Sequence, residues 1–201
     1  AGTLVGLAIG DAFGAPLEGM PPPARKVRDM EYSYQRGRKP GFFTDDTGQA
    51  LAVARSLTRC LGFSPEDMMA ELVTAYLSDP AVYGPTSRRV FDLVLLGMDP
   101  RKAARAAHEI NGQSRSNGSV MRGPPIGVFY AGPMVEACSM ACSRLTHYDP
   151  AGGACSAFVN RMVSDLCRGK EKEYAYLRAL SRCRDGEVSE RLGRFRRYDP
   201  V

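Results

Sequence analysis

Cysteine pairs at metal-binding or redox spacing are missing from this chain. None of Cys60, Cys138, Cys142, Cys155, Cys167 and Cys183 forms a CxxC, and only two histidines are present to complete a soft-metal site. With 201 residues the chain can bury a substantial core without disulfide staples. A disulfide scaffold is thereby excluded, and reduced thiols in a cytoplasmic location are the expectation. Cys138 and Cys142, four residues apart on a helical segment, read as small core residues. No stretch alternates apolar and β-branched residues for long enough to make a sheet. No membrane span or secretory leader is expected from the opening stretch: AGTLVGLAIGDAFGAPLEG lacks a basic start, is interrupted by Asp11 and is too short for a bilayer. GxGxxG spacing is not found there either, and no strand precedes these glycines, which excludes a dinucleotide fingerprint. Charge of one sign is only mildly in excess: 27 Lys and Arg against 22 Asp and Glu give +5, which suits an anionic ligand without requiring one.

Helical periodicity is what remains. From Thr44 to Leu61, apolar residues fall at Ala50, Val53, Ala54, Leu57 and Leu61, one face of a helix. Ser64-Pro65-Glu66-Asp67 starts the next helix, with Ser as N-cap, Pro at the first position and Asp67 completing a capping box. Asp99-Pro100 opens another in the same way, Pro133 stands near the start of a further one, and Ala151 to Arg197 holds two or three more. The fold class is therefore all-α, in one domain spanning residues 1–201 with no internal repeat and no linker. Two stretches break the pattern: Pro16 to Phe43, with Pro21-Pro22-Pro23 and the basic run Arg36-Gly37-Arg38-Lys39, and Glu109 to Gly118. Loops this long in a compact domain are often functional.

Each loop leads into residues that can carry chemistry. Phe43-Thr44-Asp45-Asp46-Thr47 places two adjacent carboxylates and a hydroxyl in one helical turn. These are hard oxygen donors of the kind Mg²⁺ or Mn²⁺ takes, although acids in a first turn also serve to cap a helix. Upstream, Gly6, Gly10 and Gly14 recur at intervals of four, a spacing that lets other helices approach closely. Asp11 reads as a residue bonding neighbouring backbone, whereas Glu18 begins the long loop, where a carboxylate can reach into a site. Ser116-Asn117-Gly118-Ser119 makes a tight turn and then a helix start at Ser119, whose free N–H groups suit a phosphate. Arg122 falls one turn into that helix. Thr146-His147-Tyr148-Asp149-Pro150 holds a histidine in a turn before a helix, placed to contact a ligand ring, while His108 sits on a polar helix face and is assigned no role.

Taken in order, GLAIGDAFGAPLE, FTDDTGQAL, SNGSVMRGPPIG and THYDP resemble the motifs of the ADP-ribosylglycohydrolase family, from Gly6 to Pro150. The stretch YGPTSRRVFDLVLLGMDP also fits the family's region between the second and third motifs. The resemblance implies a compact orthogonal helical bundle with a binuclear Mg²⁺ or Mn²⁺ centre. Its implied reaction is hydrolysis of the bond between C1″ of ADP-ribose and a modified acceptor. Thr44, Asp45 and Asp46 then resemble metal ligands, and Glu18 resembles the mobile acidic residue beside the metals, so that Glu18, Asp45 and Asp46 would be catalytic. Asn117, Gly118 and Ser119 resemble the loop holding the diphosphate, and His147 a substrate-contacting histidine.

One family motif, a GDTDT-like stretch with further aspartate and threonine ligands, has no counterpart in these 201 residues. The expectation is that the chain is an N-terminal portion of a longer protein, its domain incomplete at the C-terminus. The alternatives are a separate polypeptide carrying the rest, or a short homologue that binds ADP-ribose without hydrolysis. A chain lacking its last helices is expected to expose apolar surface and self-associate. No nucleic-acid partner is expected: Arg191, Arg194, Arg196 and Arg197 are diluted by Glu187, Glu190 and Asp199.

Overall fold

A computed structural model describes residues 2–24, 26–34 and 37–195, with the side chain of Phe195 excepted. Arg36 of the basic run, and Arg196 and Arg197 of the Arg-rich tail, lie outside the described residues. The described residues form ten α-helices: α1 (Gly2–Gly14), α2 (Asp45–Cys60), α3 (Pro65–Ser78), α4 (Pro85–Leu95), α5 (Pro100–Asn111), α6 (Pro124–Phe129), α7 (Pro133–Arg144), α8 (Pro150–Leu166), α9 (Lys172–Ser181) and α10 (Gly186–Phe195). Among them β structure is confined to one isolated antiparallel bridge between Ser33 and Arg38, inside the long loop. None of the described helices is long and apolar enough to cross a membrane.

Proline sets the starts. Helices α3 to α8 all begin on one, because its fixed φ suits the first helical position and its missing N–H costs nothing there. Ser64 caps α3 by accepting from Asp67 N at 3.3 Å, and Asp99 and Asp149 cap α5 and α8. Ala151 onward yields three helices, α8 to α10.

The core lies among α2 to α7, where Leu57, Met68, Leu72, Val90, Phe91 and Ile126 are fully buried. Cys138 and Cys142 belong to it, as small apolar residues would. A second packed layer joins α6 and α7 to α8 through small residues. A Cβ built at Gly127 would fall 2.3 Å from the Asn160 carbonyl oxygen, so that position has no room for a side chain, and one at Gly153 would fall 2.7 Å from Met140 Sδ and require that side chain to shift.

Two local expectations are corrected. The helix expected from Ser119 is a single 3₁₀ turn, Asn117–Ser119, and Arg122 lies in the turn after it, because Pro124 and Pro125 cannot donate to a continuous ladder and restart the chain as α6. Among the described residues the glycines of α1 pack no other helix closely: a Cβ at Gly6, Gly10 or Gly14 meets nothing within 4 Å there. Ala12 is the one buried residue of α1, and Val5 and Ile9 are 56% and 47% exposed.

Candidate functional site

The long loop returns the chain from α1 to the start of α2, and there the two segments are bolted together. The carboxylate of Asp11 accepts from Thr44 N at 3.0 and 2.9 Å, from Thr44 Oγ1 at 2.8 Å, from Thr47 N at 3.0 Å and from Thr47 Oγ1 at 2.6 Å. Asp11 thus does the capping that Thr44, at the N-cap position, does not do with its own side chain. A negative charge at this end also complements the helix dipole.

Behind the turn runs a buried polar chain. Gln49 Nε2 donates to Asp45 Oδ2 at 3.0 Å, and Gln49 Oε1 accepts from Arg122 Nη1 at 3.0 Å. The second guanidinium nitrogen, Nη2, donates to the Cys142 carbonyl at 2.7 Å. Arg122 is completely buried with no carboxylate at hydrogen-bond distance among the described residues, and Gln49 is the neutral spacer between this cation and Asp45.

Burial decides the electrostatics of Asp45. It is 6% exposed, and removal from water, reinforced by the charges of Asp46 and Glu18, pushes its carboxyl up to about 7 against the opposing hydrogen bond from Gln49. His147 is fully buried, and desolvation, with the positive charge of Arg122 behind it, pulls its imidazole down to about 3.

These elements surround a cleft of about 400 Å³. Glu18, Thr44, Asp45, Asp46, Asn117 and Gly118 all line it, so residues from three distant segments meet in one place. Asp11 lines it too, as do Gly10 and Gly14, whose lack of side chains leaves the cleft open. Two expected substrate contacts lie elsewhere. Ser119 is buried and donates to the Gly152 carbonyl at 3.2 Å. His147 sits behind Gly118, its ring nitrogens 2.8 Å from the hydroxyls of Ser116 and Thr146. A Cβ at Gly118 would come within 2.8 Å of His147 Cε1, so the turn rests directly on the imidazole.

Sequence reading placed the start of α4 in a family-like stretch but gave no site role to Gly84, Pro85 and Ser87, which line the wall. Nor did it give Asp11 its role. No local pattern marks that role, since its partners lie 33 and 36 residues downstream.

Two carboxylates and a hydroxyl within one turn fit a hard divalent cation by donor chemistry, and a carboxyl driven up by burial gains from a cation beside it. They fit it from one side: among the described residues no three His, Cys, Asp or Glu side chains gather closely enough to hold a metal ion by themselves.

The chain is thus an all-helical domain with an acid-lined cleft, and comparison with known proteins gives the family. The ADP-ribosylglycohydrolase family model matches residues 1–200, and the chain belongs to that family. It is 30% identical over 179 residues to ADP-ribosyl-[dinitrogen reductase] glycohydrolase of Rhodospirillum rubrum, a match covering 84% of this chain and 58% of that protein. It is 29% identical over 185 residues to ADP-ribosylarginine hydrolase Tri1 of Serratia proteamaculans, covering 87% of this chain and 49% of the relative. A solved chain described as an ADP-ribosylglycohydrolase-related protein complex superposes with a TM-score of 0.65 at 26% identity, covering 95% of this chain and 78% of that one. The chain therefore spans about half the length of the curated relatives it matches.

Proposed function

We propose that this chain forms the ADP-ribose-binding face, and one side of the metal-binding face, of a hydrolase that cleaves the bond between ADP-ribose and a modified acceptor. The observation that carries the reading is the meeting of Glu18, Thr44, Asp45, Asp46, Asn117 and Gly118 around one cleft. The relatives from Rhodospirillum rubrum and Serratia proteamaculans are named for ADP-ribosyl groups on dinitrogen reductase and on arginine, which favours a protein side chain as acceptor.

Breaking the C1″ bond builds positive charge on the ribose ring, and Asp45 and Asp46 are placed to stabilise it. Glu18 stands exposed at the entrance and accepts the proton of the attacking water. Asn117 and Gly118 seat the diphosphate, with His147 holding the turn from behind instead of touching substrate. Thr44, Asp45 and Asp46 would hold Mg²⁺ or Mn²⁺, which would supply positive charge at the reacting sugar. All six cysteines are free thiols, in keeping with a reducing, cytoplasmic setting.

The test is release of ADP-ribose from an ADP-ribosylated arginine peptide by the intact protein in Mg²⁺. Asp45→Ala and Asp46→Ala should each lower the rate by roughly a hundredfold or more. Unchanged release by both variants sinks the reading.

The absence of a three-carboxylate cluster among the described residues favours a second reading, a protein that binds ADP-ribose without turnover. ADP-ribose raises the melting temperature under either reading. A shift indifferent to Mg²⁺ supports the binder, and one that grows with Mg²⁺ supports the hydrolase.

A further inference from the structure

Thr44 occupies the N-cap position of α2, where a threonine ordinarily turns its hydroxyl oxygen inward to accept from its own helix. Here it makes no such bond. Its single hydroxyl proton goes instead to Asp11 Oδ1, 2.8 Å away. A hydroxyl has one proton and two lone pairs, so committing the proton to Asp11 leaves only acceptor capacity for anything in the cleft that Thr44 lines. Meanwhile the N–H groups of Thr44 and Thr47, which the Thr44 side chain leaves unserved, are taken by the same carboxylate. Thr47 Oγ1, 2.6 Å from Asp11 Oδ2, fixes the carboxylate from its other side. Both threonines are buried, so this arrangement is shielded from competing water.

We propose that Asp11 is the positioning residue of the cation site: by capping α2 from another helix it releases Thr44 from capping and fixes its hydroxyl as a pure acceptor toward a divalent cation. The inference rests on the reading of Thr44, Asp45 and Asp46 as cation ligands. Asp11 itself, with five hydrogen bonds converging on its two oxygens, is committed to the helix end and is not counted as a ligand. Outer partners that fix a metal ligand typically change metal affinity by about 10- to 100-fold when removed.

The experiment is a titration of the metal-free intact protein with Mn²⁺ alone, read by calorimetry. It uses wild type, Asp46→Asn, Asp11→Asn, Thr44→Val and the Asp11→Asn/Thr44→Val double variant, each checked for its helical circular dichroism at the titration temperature. Asp11→Asn should weaken Mn²⁺ binding at least about tenfold. The double variant should be no weaker than Thr44→Val, because Asp11 acts through that hydroxyl. Should Asp11→Asn not fold, Asp11→Glu takes its place: it keeps the charge at the helix end, displaces the oxygens and should show the same loss. Wild-type affinity in the Asp11 variant, or losses that simply add in the double variant, overturns the proposal and leaves Asp11 as an ordinary cap. Binding that Asp46→Asn abolishes and Asp11→Asn leaves intact overturns the proposal alone, whereas no Mn²⁺ binding by the wild type overturns the metal reading and this inference together.

Discussion

Gly118 and His147 are in direct apposition: the turn expected to seat the diphosphate packs against an imidazole that is wholly removed from solvent. A methyl group at 118 would fall 2.8 Å from His147 Cε1 and 3.1 Å from Ser87 Oγ, so the position is constrained both from behind the turn and from the cleft wall. Gly118→Ala should destabilise the protein by about 1–3 kcal/mol, the usual cost of overpacking. It should also weaken ADP-ribose binding, because the turn must move. Urea unfolding and calorimetric titration with ADP-ribose check both, and a variant matching wild type in each would show that the imidazole yields freely.

Among the described residues Arg122 is the largest fully buried side chain, and its partners there are neutral acceptors, Gln49 and the Cys142 carbonyl. Its Nε has no partner among the described residues. Arg122→Ala leaves both acceptors unpaired in a cavity and should cost about 2–4 kcal/mol. Arg122→Met refills much of the volume and should recover part of that loss. Equal urea midpoints for wild type and Arg122→Ala would show that water replaces the guanidinium without penalty.

The pH dependence of the metal-free protein has two opposing parts. His147 has a folded pKa of about 3 against the ordinary 6.5. As pH falls below 6.5, the unfolded chain takes up a proton that the folded one refuses, and stability declines. Asp45 has a folded value of about 7 against 3.8. As pH rises from 3.8 through 7, the unfolded chain releases a proton that the folded one retains, and stability declines in that direction instead. Between about pH 4 and 6.5 the two largely cancel in the wild type. Asp45→Asn removes one of them, so its stability should climb with pH across that window. Urea midpoints at half-unit pH steps provide the measurement, and parallel profiles for the two proteins would refute the assignment.

Local chemistry by itself determined a good deal here. Prolines at Pro65, Pro100, Pro133 and Pro150, with Ser64 and Asp99 before two of them, mark helix starts because capping and the proline ring act within a few residues. The apolar stripe identified the buried face of α2 at Ala50, Val53 and Leu57, because periodicity is a property of consecutive positions. Leu61, which the stripe also included, is the left-handed C-cap beyond the helix end and is 84% exposed. The adjacent acids Asp45 and Asp46, the loop acid Glu18 and the Asn117-Gly118 turn were legible as candidates from local sequence, and the fold brings them to one cleft.

What only the tertiary structure decided is where side chains meet across sequence distance. Asp11 is an unremarkable acid in its own helix, and becomes the cap of α2 because the loop carries Thr44 and Thr47 to it. The glycines of α1 have helix-packing spacing, yet Gly10 and Gly14 open onto the cleft, because spacing fixes a face and not the neighbour that covers it. His147 looked like a ligand contact until burial placed Gly118 in front of it. Hydrogen bonding and desolvation act over a few ångströms of space, and only the folded chain sets which residues share that space.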